Sequence, residues 1–228
     1  PPWSIVHARV YKAQLPYFSE RFRCIAYDPR GNGRSDRPDD TSAYALDHLV
    51  ADALAVMDAT ATQRAILIGL SLGGFVASIL AAYHPQRVAM AILGGTSAMI
   101  GPQYSYMSLA HFTASHETFE GWNKYNREFW NTRYPEFADH FVRNIFSDPH
   151  STKHIEDAIG WANETTGDVL IKTIDARSIS PAFDVGPEMY RRIACPLLVI
   201  HGDDDRIQPH ARARLVAEAS GAEFVSLA

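Results

Sequence analysis

The sequence has few cysteines, and none of them belongs to a metal-binding pattern. Of its 228 residues only Cys24 and Cys195 are cysteines, and neither has the Cys/His spacing of a zinc site. Each lies in or beside an apolar run, so we expect two buried thiols in a reducing compartment rather than a bridge. The cysteine usage therefore argues against a disulfide scaffold and against a zinc module.

Long apolar runs and a signal peptide are also missing. No stretch reaches the roughly 18 apolar residues that would indicate a membrane-spanning helix, and the first residues lack the pattern of a signal peptide. We therefore expect a cytoplasmic protein with no membrane partner. The chain begins with Pro1-Pro2 rather than methionine, so we expect the natural amino terminus to lie elsewhere.

An excess of basic residues is absent as well. The chain has 21 Lys and Arg against 26 Asp and Glu, for a net charge of −5, and the basic residues are scattered. Such a surface offers nucleic acid no electrostatic footprint. We expect a small-molecule partner, no nucleic acid and no metal or cofactor; the oligomeric state does not follow from the sequence.

The sequence does contain an alternation of strand-like and helical patterns. Short apolar runs bounded by turn residues predict five strands, at 22–28, 64–68, 88–93, 196–200 and 222–227. Apolar residues at helical spacing predict three helices, at 44–59, 75–83 and 209–219. This order predicts the α/β fold class, with a mostly parallel sheet flanked by helices.

Strand signals stop after residue 96 and return only near the carboxyl end. Amphipathic, aromatic-rich segments fill the interval, and Pro149 favours the start of a helix that continues over 154–164. We interpret 97–183 as a helical cap inserted between two parts of the core, 1–96 and 184–228. Most of its aromatic residues are expected to form core rather than to line a pocket.

The segment with the clearest chemical meaning is Gly69-Leu70-Ser71-Leu72-Gly73, between a predicted strand and a predicted helix. A sharp turn there projects the hydroxyl of Ser71, and glycine at 69 and 73 avoids a clash. The helix N-terminus favours negative charge, and the N–H of Leu72 would face an oxyanion. The alternatives are a glycine-rich turn with an incidental serine, and a dinucleotide loop, whose G-x-G-x-x-G spacing is absent.

Three motifs in this order resemble those of the α/β-hydrolase superfamily, and the resemblance extends over essentially the whole chain. Residues 27–35 (YDPRGNGRS) are similar to the loop after the family's fourth strand, and 68–74 (IGLSLGG) to its nucleophile elbow. Residues 196–205 (PLLVIHGDDD) are similar to its seventh strand and acid loop. The resemblance implies that Ser71 is the nucleophile and Asp205 the acid of a triad, because the family order is nucleophile, acid, histidine.

Alternatives to Asp205 stay open within its own loop. Asp204 is the next candidate for the acid, and three neighbouring aspartates also fit a loop that is merely solvated. As the acid, Asp205 would orient the histidine and stabilise its protonated form rather than accept the proton.

The histidine of the triad departs from the family pattern. In the family it follows the eighth strand, here 222–227, so we expect it beyond Ala228. His210 is the sole histidine downstream of the acid, at the start of a helix and without clear reach to the serine. His201 precedes the acid and is expected to pack in the core.

The amino-terminal part departs from the family pattern too. The resemblance would put the family's first three strands upstream of Pro1, so we expect the chain to be a fragment truncated at both ends. The second oxyanion N–H of the family comes from an early loop, whose place is taken here by residues 1–4. Trp3 is the candidate donor, or alternatively only a wall of the pocket.

The resemblance implies hydrolysis of a carboxylic ester, thioester or lactone by acyl transfer. Serine in the elbow argues against dehalogenase and epoxide-hydrolase chemistry, for which the family uses aspartate there. Two alternatives remain: a binding module that has kept the fold but lost hydrolysis, and an acyltransferase or cofactor-free peroxidase with the same triad.

Overall fold

A computed structural model describes residues 1–148 and 150–228, so Pro149, expected to begin a helix, lies outside the described residues. One parallel sheet occupies the centre, and its strands follow the spatial order β1-β2-β3-β4. The strands are β1 (Ala65–Leu70), β2 (Val88–Gly94), β3 (Leu197–Gly202) and β4 (Glu223–Leu227). The expected α/β architecture with a parallel sheet flanked by helices is confirmed.

The remaining regular elements of the described chain are helices. The α-helices are α1 (Gln14–Ser19), α2 (Leu46–Ala59), α3 (Leu72–Tyr83), α4 (Leu109–Thr113), α5 (Arg127–Ile145), α6 (Thr152–Ala162), α7 (Gly167–Asp175), α8 (Pro187–Arg191) and α9 (His210–Ser220). Short 3-10 helices lie at Ala8–Tyr11, Thr41–Tyr44, Pro85–Arg87, Ser105–Met107, Gly121–Lys124 and Ala176–Ser178. The helices predicted from apolar spacing are all present, with ends that differ by three residues or fewer.

The main hydrophobic core lies between the sheet and the helices that cover it. Val88, Ala91 and Leu93 of β2 and Val199 of β3 are completely buried, as expected for central strands of a covered parallel sheet. Helices α2, α3, α8 and α9 contribute most of the other members of this core. The core holds the carboxyl ends of β1, β2 and β3 at one edge, where ligand sites of parallel sheets form.

The prediction of a strand over 22–28 is wrong. This segment joins no ladder, and its residues 22–26 are exposed. A strand needs a neighbour for its backbone hydrogen bonds, and no described strand lies beside it. The outer edge of β1 is left open for the same reason, so Ile66 and Ile68 are 46% and 41% exposed.

Between β2 and β3 the chain forms a second hydrophobic core. Aromatic side chains of α5, including Phe129, Trp130 and Phe137, are buried there with residues of α6 and α7. The prediction that most aromatic residues of this region form core is therefore confirmed. Trp3 and Ile5 join this second core although they precede the sheet in the chain. The domain boundaries at 96/97 and 183/184 stay predictions.

Both cysteines are free thiols. Cys24 is exposed rather than buried, because the segment that carries it has no neighbouring strand to cover it. Among the described residues, no helix combines the length and the apolar character that crossing a membrane would require.

A matched pair of leucine substitutions tests the position of the core. L93A should lower the free energy of unfolding by about 2–5 kcal/mol, because Leu93 is completely buried in β2 and its truncation leaves a cavity. L109A, at a leucine that is 48% exposed, should change it by less than about 0.5 kcal/mol. Urea unfolding measures both, and equal losses would contradict the described core.

Candidate active site

The backbone at Ser71 has the strained geometry of a nucleophile elbow. Ser71 has φ 54° and ψ −120° between the end of β1 and the start of α3. Such a conformation raises the free energy of a non-glycine residue, so it persists only where the surroundings enforce it. The N–H of Ser71 donates to the carbonyl of Gly94 over 2.9 Å, and its carbonyl accepts from the N–H of Gly74 and of Ser97.

The elbow has no room for side chains at its glycines. A Cβ atom on Gly69 would overlap the backbone carbonyl of Gly73, and one on Gly73 would overlap the carbonyl of Pro1. A Cβ on Gly74 would lie 2.7 Å from Oγ1 of Thr96, which follows β2. Three segments therefore meet at the turn, and glycine is what lets them approach.

The predicted oxyanion donors lie beside the elbow. Leu72 is the first residue of α3, where backbone N–H groups lack partners inside the helix. Trp3 follows the Pro1-Pro2 pair that lies against Gly73. Its indole points to the second core, where Nε1 donates to Oγ1 of Thr173 over 2.7 Å. The side chain of Trp3 is thus packed away, whereas its backbone stays near the turn.

Asp205 has the hydrogen bonding expected of an ionised acid. Its Oδ1 accepts from the backbone N–H groups of Ile207 and Gln208, over 2.7 and 2.9 Å. A Cβ on Gly95, at the end of β2, would lie 3.4 Å from Oδ2 of Asp205. The carboxylate therefore lies at the end of β2, next to β1, the strand that precedes Ser71. Asp204, the alternative, is exposed.

The two histidines near the acid loop face different aspartates. His210 Nε2 lies 2.7 Å from Oγ of Ser226 and 3.3 Å from Oδ1 of Asp203. His201 is buried, and its Nε2 lies 3.3 Å from Oδ2 of Asp205. Neither histidine makes a hydrogen bond to Ser71 in the described structure, so neither links the serine to the acid.

Two tyrosines from the region between β2 and α4 hold the acid loop. The hydroxyl of Tyr104 donates to the carbonyl of Asp205, and that of Tyr106 to the carbonyl of Arg206, both over 2.8 Å. Their rings stack on each other, and Tyr106 stacks on Trp122. Burial, together with the negative charge of Asp205, raises the pKa of Tyr104. Burial, together with Tyr104 and Asp205, raises the pKa of Tyr106 to about 12. Both hydroxyls therefore stay donors near neutral pH.

The first family-like motif ties the amino-terminal segment to the helices above it. The amide of Asn32, completely buried, donates to the carbonyls of Ser4 and Trp161. The guanidinium of Arg30 forms a bidentate ion pair with Asp52 and donates a hydrogen bond to the carbonyl of Ala43. This motif positions the segment next to the elbow and contributes no reacting group. No cluster of three or more potential metal ligands occurs among the residues that the structure describes.

Comparison with known proteins agrees with this geometry. Residues 7–226 match the family described as alpha/beta hydrolase fold. The chain belongs to the α/β-hydrolase family. The crystal structure of the enol-lactonase from Burkholderia xenovorans LB400 superposes on 98% of this α/β-hydrolase chain and 79% of that chain, with a TM-score of 0.78 and 25% identity.

Two curated relatives match by sequence. A 3-oxoadipate enol-lactonase 2 from Acinetobacter baylyi is 32% identical over 101 residues, which span 44% of this chain and only 37% of that protein. A non-heme chloroperoxidase from Burkholderia pyrrocinia is 28% identical over 212 residues, or 90% of this chain and 73% of that protein. The relatives named here are enzymes.

Sequence reasoning missed the residues that support the acid. Tyr104 and Tyr106 lie about a hundred positions before the carbonyls that they bind, and no local pattern marks them. The contact of His201 with Asp205 could have been suspected from their four-residue separation next to a strand end. The role of Gln208 rests on its backbone, which sequence reasoning does not see.

The lack of space at the elbow gives one prediction. G69A should lower the free energy of unfolding by about 1–3 kcal/mol, because its Cβ would press on backbone atoms that have no room to move. G160A is the control: Gly160 is an exposed residue of α6 with no atom within 4 Å of its Cβ position. The control should gain about 0.5–1 kcal/mol. If urea unfolding gives the two variants the same change in the free energy of unfolding, the described turn is contradicted.

The hydrogen bond of Tyr104 to the acid loop gives a second prediction. Y104F removes the hydroxyl that binds the Asp205 carbonyl, so the loop should open locally more often. We expect faster hydrogen exchange at the N–H groups of Ile207 and Gln208, by a factor that corresponds to about 0.5–1.5 kcal/mol. In the control Y83F, the lost bond goes to the carbonyl of Asp184, and exchange at these two amides should not change. Unchanged exchange in Y104F would refute the role of Tyr104.

Proposed function

We propose that this protein is a serine hydrolase that cleaves a carboxylic ester, thioester or lactone. The observation that carries the proposal is the strained backbone of Ser71 at the start of α3, next to a strand whose end lies under the carboxylate of Asp205. Strain at a single non-glycine residue is typical of functional sites, where surroundings over-determine the backbone. A glycine-rich turn with an incidental serine would not need it.

In the proposed reaction the hydroxyl oxygen of Ser71 attacks the substrate carbonyl carbon and loses its proton to a histidine base. The oxyanion is stabilised by the N–H of Leu72 and, in our proposal, by that of Trp3. The base returns its proton to the leaving oxygen or sulfur atom as the acyl-enzyme forms. A water molecule, deprotonated by the same base, then attacks the acyl carbon and releases the acid and Ser71.

The base itself is not among the described residues in a productive position. His210 faces Asp203 and Ser226, whereas His201 is buried on β3. We therefore propose a histidine outside residues 1–228 as the base. Asp205 would bind it and stabilise its protonated form.

The relatives support acyl chemistry without specifying the substrate. Two of them are named enol-lactonases, and hydrolysis of a lactone is an acyl transfer to water. The chloroperoxidase supports a second candidate function, because it matches 90% of this chain. In that alternative, the same acyl-enzyme is attacked by a peroxide or an alcohol instead of water.

We further propose that residues 97–183 act as a cap over the site and that the protein acts on a small molecule in the cytoplasm. The cap proposal is supported by the second hydrophobic core, whose residues pack against Leu72 next to the nucleophile. The small-molecule proposal is supported by the net negative charge and by the scattered positions of the basic residues.

Covalent capture tests the proposal. The full-length gene product is treated with a fluorophosphonate beside an S71A control, and the intact mass is measured. We expect one adduct on the protein and none on the control, because only an activated serine attacks phosphorus at a useful rate. An ester and lactone panel, with and without an alcohol or peroxide acceptor, then separates hydrolysis from transfer by its products.

Failure of capture would have a definite meaning. If the folded protein forms no adduct while remaining monodisperse, the hydrolase mechanism is refuted. The fold would then be interpreted as a binding module, since a fold does not determine a function. An adduct that persists in S71A would refute Ser71 as the nucleophile.

A further inference from the structure

His201 is a buried histidine that the proposed mechanism does not use. Its side chain is 1% exposed on β3, one residue before the acid loop begins. Its Nε2 lies 2.9 Å from the carbonyl oxygen of Gln208 and 3.3 Å from Oδ2 of Asp205. Its Nδ1 has no partner among the described residues. Within the described part of the chain, the polar contacts of this imidazole are thus all with the acid loop.

The direction of these contacts follows from the chemistry of the partners. A backbone carbonyl can only accept, so the Nε2 of His201 carries a hydrogen and donates it to Gln208. Oδ2 of Asp205 lies 3.3 Å from the same nitrogen, so the carboxylate charge is next to this N–H, whose hydrogen bond goes to the carbonyl. The remaining nitrogen, Nδ1, has no second role in the loop.

Gln208 connects His201 with the acid a second time. Its N–H donates to Oδ1 of Asp205 while its carbonyl accepts from His201. Its side-chain Oε1 accepts from Nη1 of Arg212 over 2.6 Å, and Arg212 is itself buried. His201 therefore acts on the carboxylate both directly and through the residue that binds its other oxygen.

An ionised carboxylate offers about four lone-pair sites. At Asp205, Oδ1 accepts the two backbone N–H groups of Ile207 and Gln208. Among the described residues no donor makes a hydrogen bond to Oδ2, so its lone pairs stay free for a base histidine, while Nε2 of His201 lies 3.3 Å away. Rotation of a carboxylate about its last bond is soft, so the N–H dipole beside Oδ2 favours one orientation of the carboxylate plane.

We propose that His201 is a positioning residue for the acid: its Nε2–H, which donates to Gln208 and lies beside Oδ2 of Asp205, orients the carboxylate so that the lone pairs of Oδ2 face the catalytic base. This inference rests on the proposed function, because it concerns the acid of the same triad. A merely structural His201 would stabilise β3 and leave the chemistry of Ser71 unchanged.

Two amide substitutions separate these roles. In H201Q the side-chain nitrogen reaches about as far as Nε2, whereas in H201N it ends near the position of Nδ1. The full-length gene product and each variant are treated with a series of fluorophosphonate concentrations, which gives the maximal rate of capture at Ser71 and the concentration for half-maximal rate. H210Q is the matched control, because His210 lies next to His201 but contacts Asp203.

We expect H201N to reduce the maximal rate of capture on the order of ten- to a hundredfold, a usual cost of losing a partner that orients a functional group. The half-maximal concentration should stay the same, because binding of the probe is not affected. H201Q should recover most of the rate, and H210Q should behave as the parent. If H201N does not fold, H201L takes its place.

Three results would overturn the inference. Parental rates in H201N, or an equal loss in H201N and H201Q, would show that the reach of the donor nitrogen is irrelevant. A loss that appears only in the half-maximal concentration would assign His201 to binding. If the parent itself is not captured at Ser71, the proposed function fails together with this inference, and the two kinds of failure are thereby distinguished.

Discussion

The close approach of backbone to backbone at Gly69 and Gly73 is the constraint on which the site depends. It forces Ser71 into a left-handed φ, which two hydrogen bonds stabilise: the N–H of Ser71 donates to Gly94 of β2, and its carbonyl accepts from Ser97, which follows β2. The same approach brings the amino-terminal segment against α3, because Gly73 lies on the carbonyl of Pro1. A turn with glycine at positions 69, 73 and 74 therefore positions Ser71, the proposed nucleophile, at the start of α3.

The acid is supported from three different parts of the fold. Backbone N–H groups of its own loop bind Oδ1, His201 of β3 approaches Oδ2, and Tyr104 binds its carbonyl from the segment between β2 and α4. Trp3 belongs to the core of that insertion although it borders the elbow. The region between β2 and β3 is thus in contact with the segment beside the elbow and with the acid loop, so its packing and the geometry of the site depend on each other.

Prediction from sequence succeeded where the signal is local. Apolar spacing located the helices over 46–59 and 210–220 closely, and continuous apolar runs located the four paired strands. It failed at 22–28, whose residues have the character of a strand, because a strand exists only through the neighbour that bonds to it. The exposure of Cys24 was misjudged for the same reason.

The sequence by itself determined the family and located Ser71 at a strand-to-helix turn and Asp205 in the loop after a strand, because each depends on residue types at short fixed spacing. Only the tertiary structure decided which histidine faces which aspartate: His201 faces Asp205, and His210 faces Asp203 and Ser226. It also decided that Tyr104 binds the acid loop from a hundred residues away. The contacts of His210 with Ser226 and of Tyr104 with the acid loop join segments that meet only when the sheet and the helices above it have packed, and no local pattern encodes where they meet.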